Sequence, residues 1–198
     1  MKNVLFVDCC IRGEASRTKK LADAFLSALP ADCRVTRLDL MAEELSYFKD
    51  GYFAQREQLL AAGEQDHPRF RYAHQFAQAD RIVIAAPFWD LSYPAILKIY
   101  LERISVTNLT FGYDDAGNSV GLCRAKRLLL ITTRGGNFSL PETAWMESGA
   151  RHLQALCAMY GIPDFQLLCA EGLDDVRNDK AALLAGAMAQ AEALAPNF

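Results

Sequence analysis

Ser16, Arg17 and Thr18 are residue types that hold a phosphate: two hydroxyl donors on either side of a fork-shaped guanidinium. They lie between an apolar run at 4–7 and a stretch whose apolar positions, Leu21, Ala24, Phe25 and Ala28, recur with helical spacing. A strand, a polar turn and a helix in that order set a helix N-terminus over the end of a buried strand. Free N–H groups and the macrodipole favour an anion there. Two other loops carry complementary chemistry. Phe88 and Trp89 follow the apolar run 81–87 and offer a wall for a flat ring, while Gly135 and Gly136 follow 125–133 and let backbone N–H groups approach a ring edge closely. Plainer uses stand beside these. Ser16 or Thr18 suits an ordinary helix cap, Arg12, Arg17, Lys19 and Lys20 suit a solvated basic patch, and Phe88 with Trp89 suits packing under a loop or a subunit contact.

The elements that must position these loops can be read from periodicity. Strands are expected over 4–7, 34–38, 81–87, 125–133 and 165–170. Helices are expected after the first turn to Leu29, as a pair joined by an exposed loop within 41–71, then over 70–79, 95–104 with Pro94 in the first turn, 142–160 closed by Gly161, and 176–194. Alternation at Leu109, Phe111 and Tyr113, followed by turn residues at 114–118, predicts a hairpin over 107–121. Strand and helix alternate throughout. The expected fold class is therefore α/β: a three-layer, doubly wound, five-stranded parallel sheet with a small hairpin insertion, as one domain over 1–198. Such folds bind ligands beyond the carboxyl ends of the strands, where the strand order reverses.

Composition narrows the function classes. The 198 residues are 52% hydrophobic, enough for a core on both faces of a sheet. A net charge of −3 and a pI near 5.6 argue against a nucleic-acid partner. No apolar run approaches the roughly 18 residues of a membrane span, and the N-terminal apolar stretch is too short for a signal peptide, so a cytoplasmic location is expected. The six cysteines form no C-x-x-C pair and have no histidine at metal-ligand spacing, so no metal site is expected.

Several segments taken together resemble the FMN-dependent NADH-azoreductases, within the NAD(P)H:quinone oxidoreductase group of flavodoxin-like enzymes. They are Ala86-Pro87-Phe88-Trp89-Asp90 with Pro94 and Lys98, Leu109-Thr110-Phe111 with Tyr113, Ile131-Thr132-Thr133-Arg134-Gly135-Gly136, and Ala170-Glu171-Gly172. The resemblance covers nearly the whole chain and is weakest over 41–71. It implies bound FMN, NADH or NADPH as co-substrate, a quinone or azo compound as acceptor, two-electron ping-pong hydride transfer through flavin N5, and a homodimer with active sites at the interface. By position it implies that Cys10, Ser16, Arg17 and Thr18 form the phosphate loop. Phe88, Trp89, Asp90 and Leu91 then form the isoalloxazine loop, and Thr133, Arg134, Gly135 and Gly136 the second ring-contacting turn. No side chain need act as a catalytic acid or base for the hydride step.

Three positions depart from that pattern, which commonly has Ser at Cys10, a neutral residue at Arg17 and Asn at Asp90. A thiol donates weakly to phosphate, and an ionised carboxylate only accepts hydrogen bonds. Rival readings are a low-molecular-weight phosphatase or arsenate reductase, a non-catalytic flavodoxin-type carrier, and a Cys9-Cys10 redox pair. The first requires Cys, five residues, then Arg, whereas six residues separate Cys10 from Arg17.

Overall fold

Strand β1 (Lys2–Asp8) is the axis of the molecule, and its successive side chains feed two separate cores. Leu5 and Val7 enter one core; Val4 and Phe6 enter the other. The computed structural model describes residues 1–198. From β1 the chain passes through α1 (Arg17–Ser27) to β2 (Cys33–Asp39), then α2 (Asp50–Ala61), α3 (Arg71–Gln78) and β3 (Arg81–Ala85). It continues through α4 (Ala95–Ile104), the short strands β4 (Phe111–Tyr113) and β5 (Ser119–Gly121), β6 (Arg127–Thr133), α5 (Gly149–Tyr160), β7 (Asp164–Ala170) and α6 (Lys180–Leu194).

The main sheet has the order β2-β1-β3-β6-β7, every neighbour parallel, as the alternation predicts. Helices α1 and α6 cover one face, packing Leu21, Phe25, Ala187 and Ala191 against Phe6, Val83 and Leu129. Helices α3, α4 and α5 cover the other, packing Phe76, Leu97 and Leu153 against Leu5, Ile82 and Leu130. The order reverses at β1, with β2 on one side and β3 on the other. The crevice for a ligand thus opens over the carboxyl ends of β1 and β3.

Several boundaries differ from expectation. The segment 41–71 holds one α-helix, α2, plus a single 3₁₀ turn at Pro68–Phe70, rather than two helices. No residue of α2 is fully buried; its Leu59 and Leu60 pack part-buried against a small cluster around Phe70 and Val106. Helix α5 starts at Gly149, not 142, after a 3₁₀ turn at Ala144–Met146. The cause is tertiary: the Ser148 N–H and hydroxyl both donate to Leu91 O (3.0 and 2.7 Å), and Glu147 accepts the Ala150 N–H (2.8 Å). Helix α6 starts at Lys180 because Asp179 caps it, accepting the N–H groups of Ala181 and Ala182. Pro94 is the residue before α4 rather than its first.

Candidate cofactor site

Ser16 ends the loop after β1 and caps α1, its hydroxyl accepting the Lys19 N–H at 3.3 Å. The N–H groups of Arg17 and Thr18, first in the helix, have no intrahelical acceptor and face the end of the helix. A cavity of about 230 Å³ lies there. Ser16, Arg17 and Thr18 line it from the first loop, Pro87, Phe88 and Trp89 from the loop after β3, and Thr133 and Gly135 from the end of β6. The buried Thr18 and Thr133 hydroxyls share a 2.7 Å hydrogen bond that ties the first loop to the third. Arg12 and Asp174 complete the lining. Asp174 was not singled out by the sequence: it sits beyond β7, and only the fold brings it to this rim.

The other expected site residues fall elsewhere. The Cys10 thiol is buried, 3.8 Å from Ala85 O, and belongs to the α1/α6 core. Burial first, and then the neighbouring Asp8, push its pKa well above the ordinary thiol value, so it is no ready nucleophile. Cys9 is likewise buried and raised. This removes the physical basis for a phosphatase or vicinal-redox reading. Arg17 lines the cavity, but its Nη1 donates to Leu173 O (3.1 Å) and Asp174 Oδ1 (3.0 Å). Asp90 and Leu91 are exposed and lie outside the cavity lining. Both have left-handed backbones (φ 49° and 64°), and Trp89 and Ser92 exchange hydrogen bonds across them (3.1 and 2.8 Å). That is a tight two-residue turn of the I′ kind, which explains why Asn suits position 90.

Arg134 does not present its side chain to the cavity. It is 2% exposed and paired with Glu171 (2.8 Å) and Glu147 (3.3 Å). Glu171 also accepts the N–H groups of Phe138 (3.1 Å) and Ser139 (3.2 Å). Burial acts to raise its pKa, but the hydrogen bonds from Ser139, Arg134 and Phe138 outweigh it and hold the carboxyl below its ordinary range. Gly135 allows close approach to the loop after β7: a Cβ there would lie 2.3 Å from Asp174 Oδ2. Gly136 accepts the Gly172 N–H through its carbonyl and is outside the cavity lining. Away from the cavity, His152, for which the sequence shows no partner, pairs with the Tyr93 hydroxyl.

The residues fit FMN. A helix start with two free N–H groups, a hydroxyl and two arginines suits a phosphate monoester, and Phe88 and Trp89 border the same space. The enclosed volume is below the roughly 300 Å³ at which whole-ligand pockets begin. It would therefore suit the phosphate-bearing tail.

A doubly wound sheet with a helix start and aromatics lining one cavity at its switch point is the arrangement of a flavodoxin-like protein. A family model described as a flavodoxin-like fold matches residues 2–195. The chain is 39% identical, over the full length of both, to FMN-dependent NADH:quinone oxidoreductase 2 of Clostridium acetobutylicum. It is 33% identical, again over both full lengths, to FMN-dependent NADH:quinone oxidoreductase of Coprothermobacter proteolyticus. The azoreductase of Bacillus anthracis str. Sterne superposes with a TM-score of 0.89 at 26% identity, covering 100% of each chain. The chain belongs to the FMN-dependent NADH:quinone oxidoreductase and azoreductase family of the flavodoxin-like fold.

Proposed function

We propose that this protein is an FMN-dependent NADH oxidoreductase that reduces quinones, azo compounds or both, the entire 198-residue chain acting as one domain. The observation that carries this reading is the single cavity on which the loops after β1, β3 and β6 converge. FMN bound there supplies two-electron hydride transfer between NADH and the acceptor. The chain's own residues bind and orient. Ser16 and the N–H groups of Arg17 and Thr18 hold the phosphate, with Arg12 and Arg17 as counter-charges. Phe88 and Trp89 wall the ring and keep water from one side, and the backbone at Thr133 and Gly135 borders its edge.

The proposal includes a homodimer. Trp89, Leu91 and Trp145 are 42, 43 and 71% exposed on segments joined through Ser148, apolar surface that a second copy would cover. It also includes a cytoplasmic location: six free cysteines suit a reducing compartment, and no helix is long and apolar enough to cross a membrane. The test is to load the purified chain with FMN, remove the excess and follow NADH oxidation with and without a quinone. Retained yellow flavin and steady quinone-dependent turnover are expected. Colourless protein overturns the site; retained flavin without turnover leaves an electron carrier.

A further inference from the structure

The Arg134 guanidinium is enclosed between two protein carboxylates. Nη1 meets Glu171 Oε1 at 2.8 Å, and Nη2 lies 3.3 Å from Glu147 Oε1. Nε and Nη2 are both buried without a hydrogen-bond partner, so the Glu147 contact is an ion pair and not a hydrogen bond. The guanidinium carbon instead lies 5.0 Å from the centroid of the Phe88 ring. Phe88 also packs on Phe138, with centroids 4.6 Å apart. Glu171 closes the circuit, since the carboxylate that pairs with Arg134 also accepts the Phe138 N–H. Phe88 therefore packs against two groups that one carboxylate holds in register.

From this arrangement we propose that Arg134 is a positioning residue: it sets the aromatic wall of the cavity through Phe88 and does not itself touch the cofactor. The inference rests on the reading that FMN occupies this cavity. The Glu147 arm extends the same control to α5. Glu147 accepts the Ala150 N–H at the helix start, and the adjacent Ser148 holds Leu91 O at the far end of the Phe88 loop. One cation thus lies against Phe88 at one end of that loop and, through Glu147, beside the residue that holds its other end. Lysine keeps the charge, but as a point charge it can neither span both carboxylates nor lay a flat face on Phe88.

The test is an FMN titration of the flavin-free protein, read by quenching of flavin fluorescence. Arg134→Lys is expected to raise the FMN Kd about tenfold, mid-range for directly coupled neighbours, and to alter the visible circular dichroism of the bound flavin. In a Phe88→Leu background the same substitution should add less than about twofold, because the group it acts through is gone. Phe198→Leu is the control for general loosening. Phe198 is buried at the opposite end of β6, beside Arg127, and should lower the Tm while leaving the Kd unchanged. Should Arg134→Lys not fold, Phe138→Leu reads the same stack, and a Kd raised about threefold or more is expected. The role is overturned by an unchanged Kd in the folded variant, by an undiminished effect in the Phe88→Leu background, or by an equal rise in Phe198→Leu. A parent chain that binds no FMN overturns the proposed function as well; a parent that binds it beside an indifferent Arg134→Lys overturns the role alone.

Discussion

Leu91 holds a left-handed backbone (φ 64°) that a branched side chain disfavours, next to Asp90 at φ 49°. The turn survives because Ser148 grips the Leu91 carbonyl twice and Trp89 pairs with Ser92. Leu91→Val moves branching to Cβ, where the left-handed region is least tolerant, and is expected to cost about 1–2 kcal/mol in urea unfolding. Asp90→Asn keeps a residue suited to its position. It also removes a negative charge that opposes a negatively charged reduced flavin. Because Asp90 is exposed, water and salt screen that charge. The flavin midpoint should rise by less than ~30 mV, the equivalent of a factor of ten for two electrons. A redox titration checks both the sign and the ceiling.

Among the elements, the hairpin is held by its weakest-looking residues. Gly121 in β5 meets the αL glycine that ends α5, Gly161 (φ 77°), so closely that a Cβ on Gly121 would lie 2.0 Å from the Gly161 nitrogen. The atoms in the way are backbone, with no flexible side chain to swing aside. Gly121→Ala is expected to cost about 2–4 kcal/mol, as overpacking against backbone does, and to speed exchange of the Cys123 N–H that donates to Tyr160 O (3.1 Å). The same contrast explains what was legible in the sequence. Ile82, Val83 and Ile84, or Leu128 to Ile131, are apolar on both faces because both faces are covered, and central strands written that way need no partner to be recognised. Ser16, Phe88 and Gly135 could be placed because each stands at the end of such a strand. The start of α5 could not, because a contact with Leu91, 57 positions away, decides it. Arg134 was legible as a residue of the right loop. Its direction depends on Glu147 and Glu171, which only the folded chain brings together. The segment 41–71 was weak for a related reason: arginine–aromatic stacking holds it, with Arg103 3.7 Å and Arg69 4.0 Å from the Tyr52 ring centre, and such contacts leave no periodic signature.

The whole molecule should lose stability in acid in two stages. Burial and then Lys98 lower the pKa of His152, so the unfolded chain binds its proton more readily, and stability declines as pH falls below ~6.5. Glu171, whose folded pKa is depressed, contributes stability that is fully present above ~4.3 and is lost as pH falls through its folded pKa. Urea midpoints taken across this range should fall in both windows, with His152→Gln flattening the upper and Glu171→Gln the lower. Ligand linkage acts in the opposite direction and separates the parts of the proposed site. FMN at a hundred times its Kd adds about 2.7 kcal/mol to the folded state. For a chain of this size that is a rise of about 5–10 °C in Tm. Riboflavin carries the same ring without the phosphate. The cavity's charged lining, Arg12 and Arg17 beside the α1 start with Asp174 paired to Arg17, would meet the phosphate-bearing tail. At equal concentration riboflavin should therefore raise the Tm by no more than about a third as much. Equal shifts from the two flavins would mean that the ring carries the affinity and that the first loop is an ordinary helix cap.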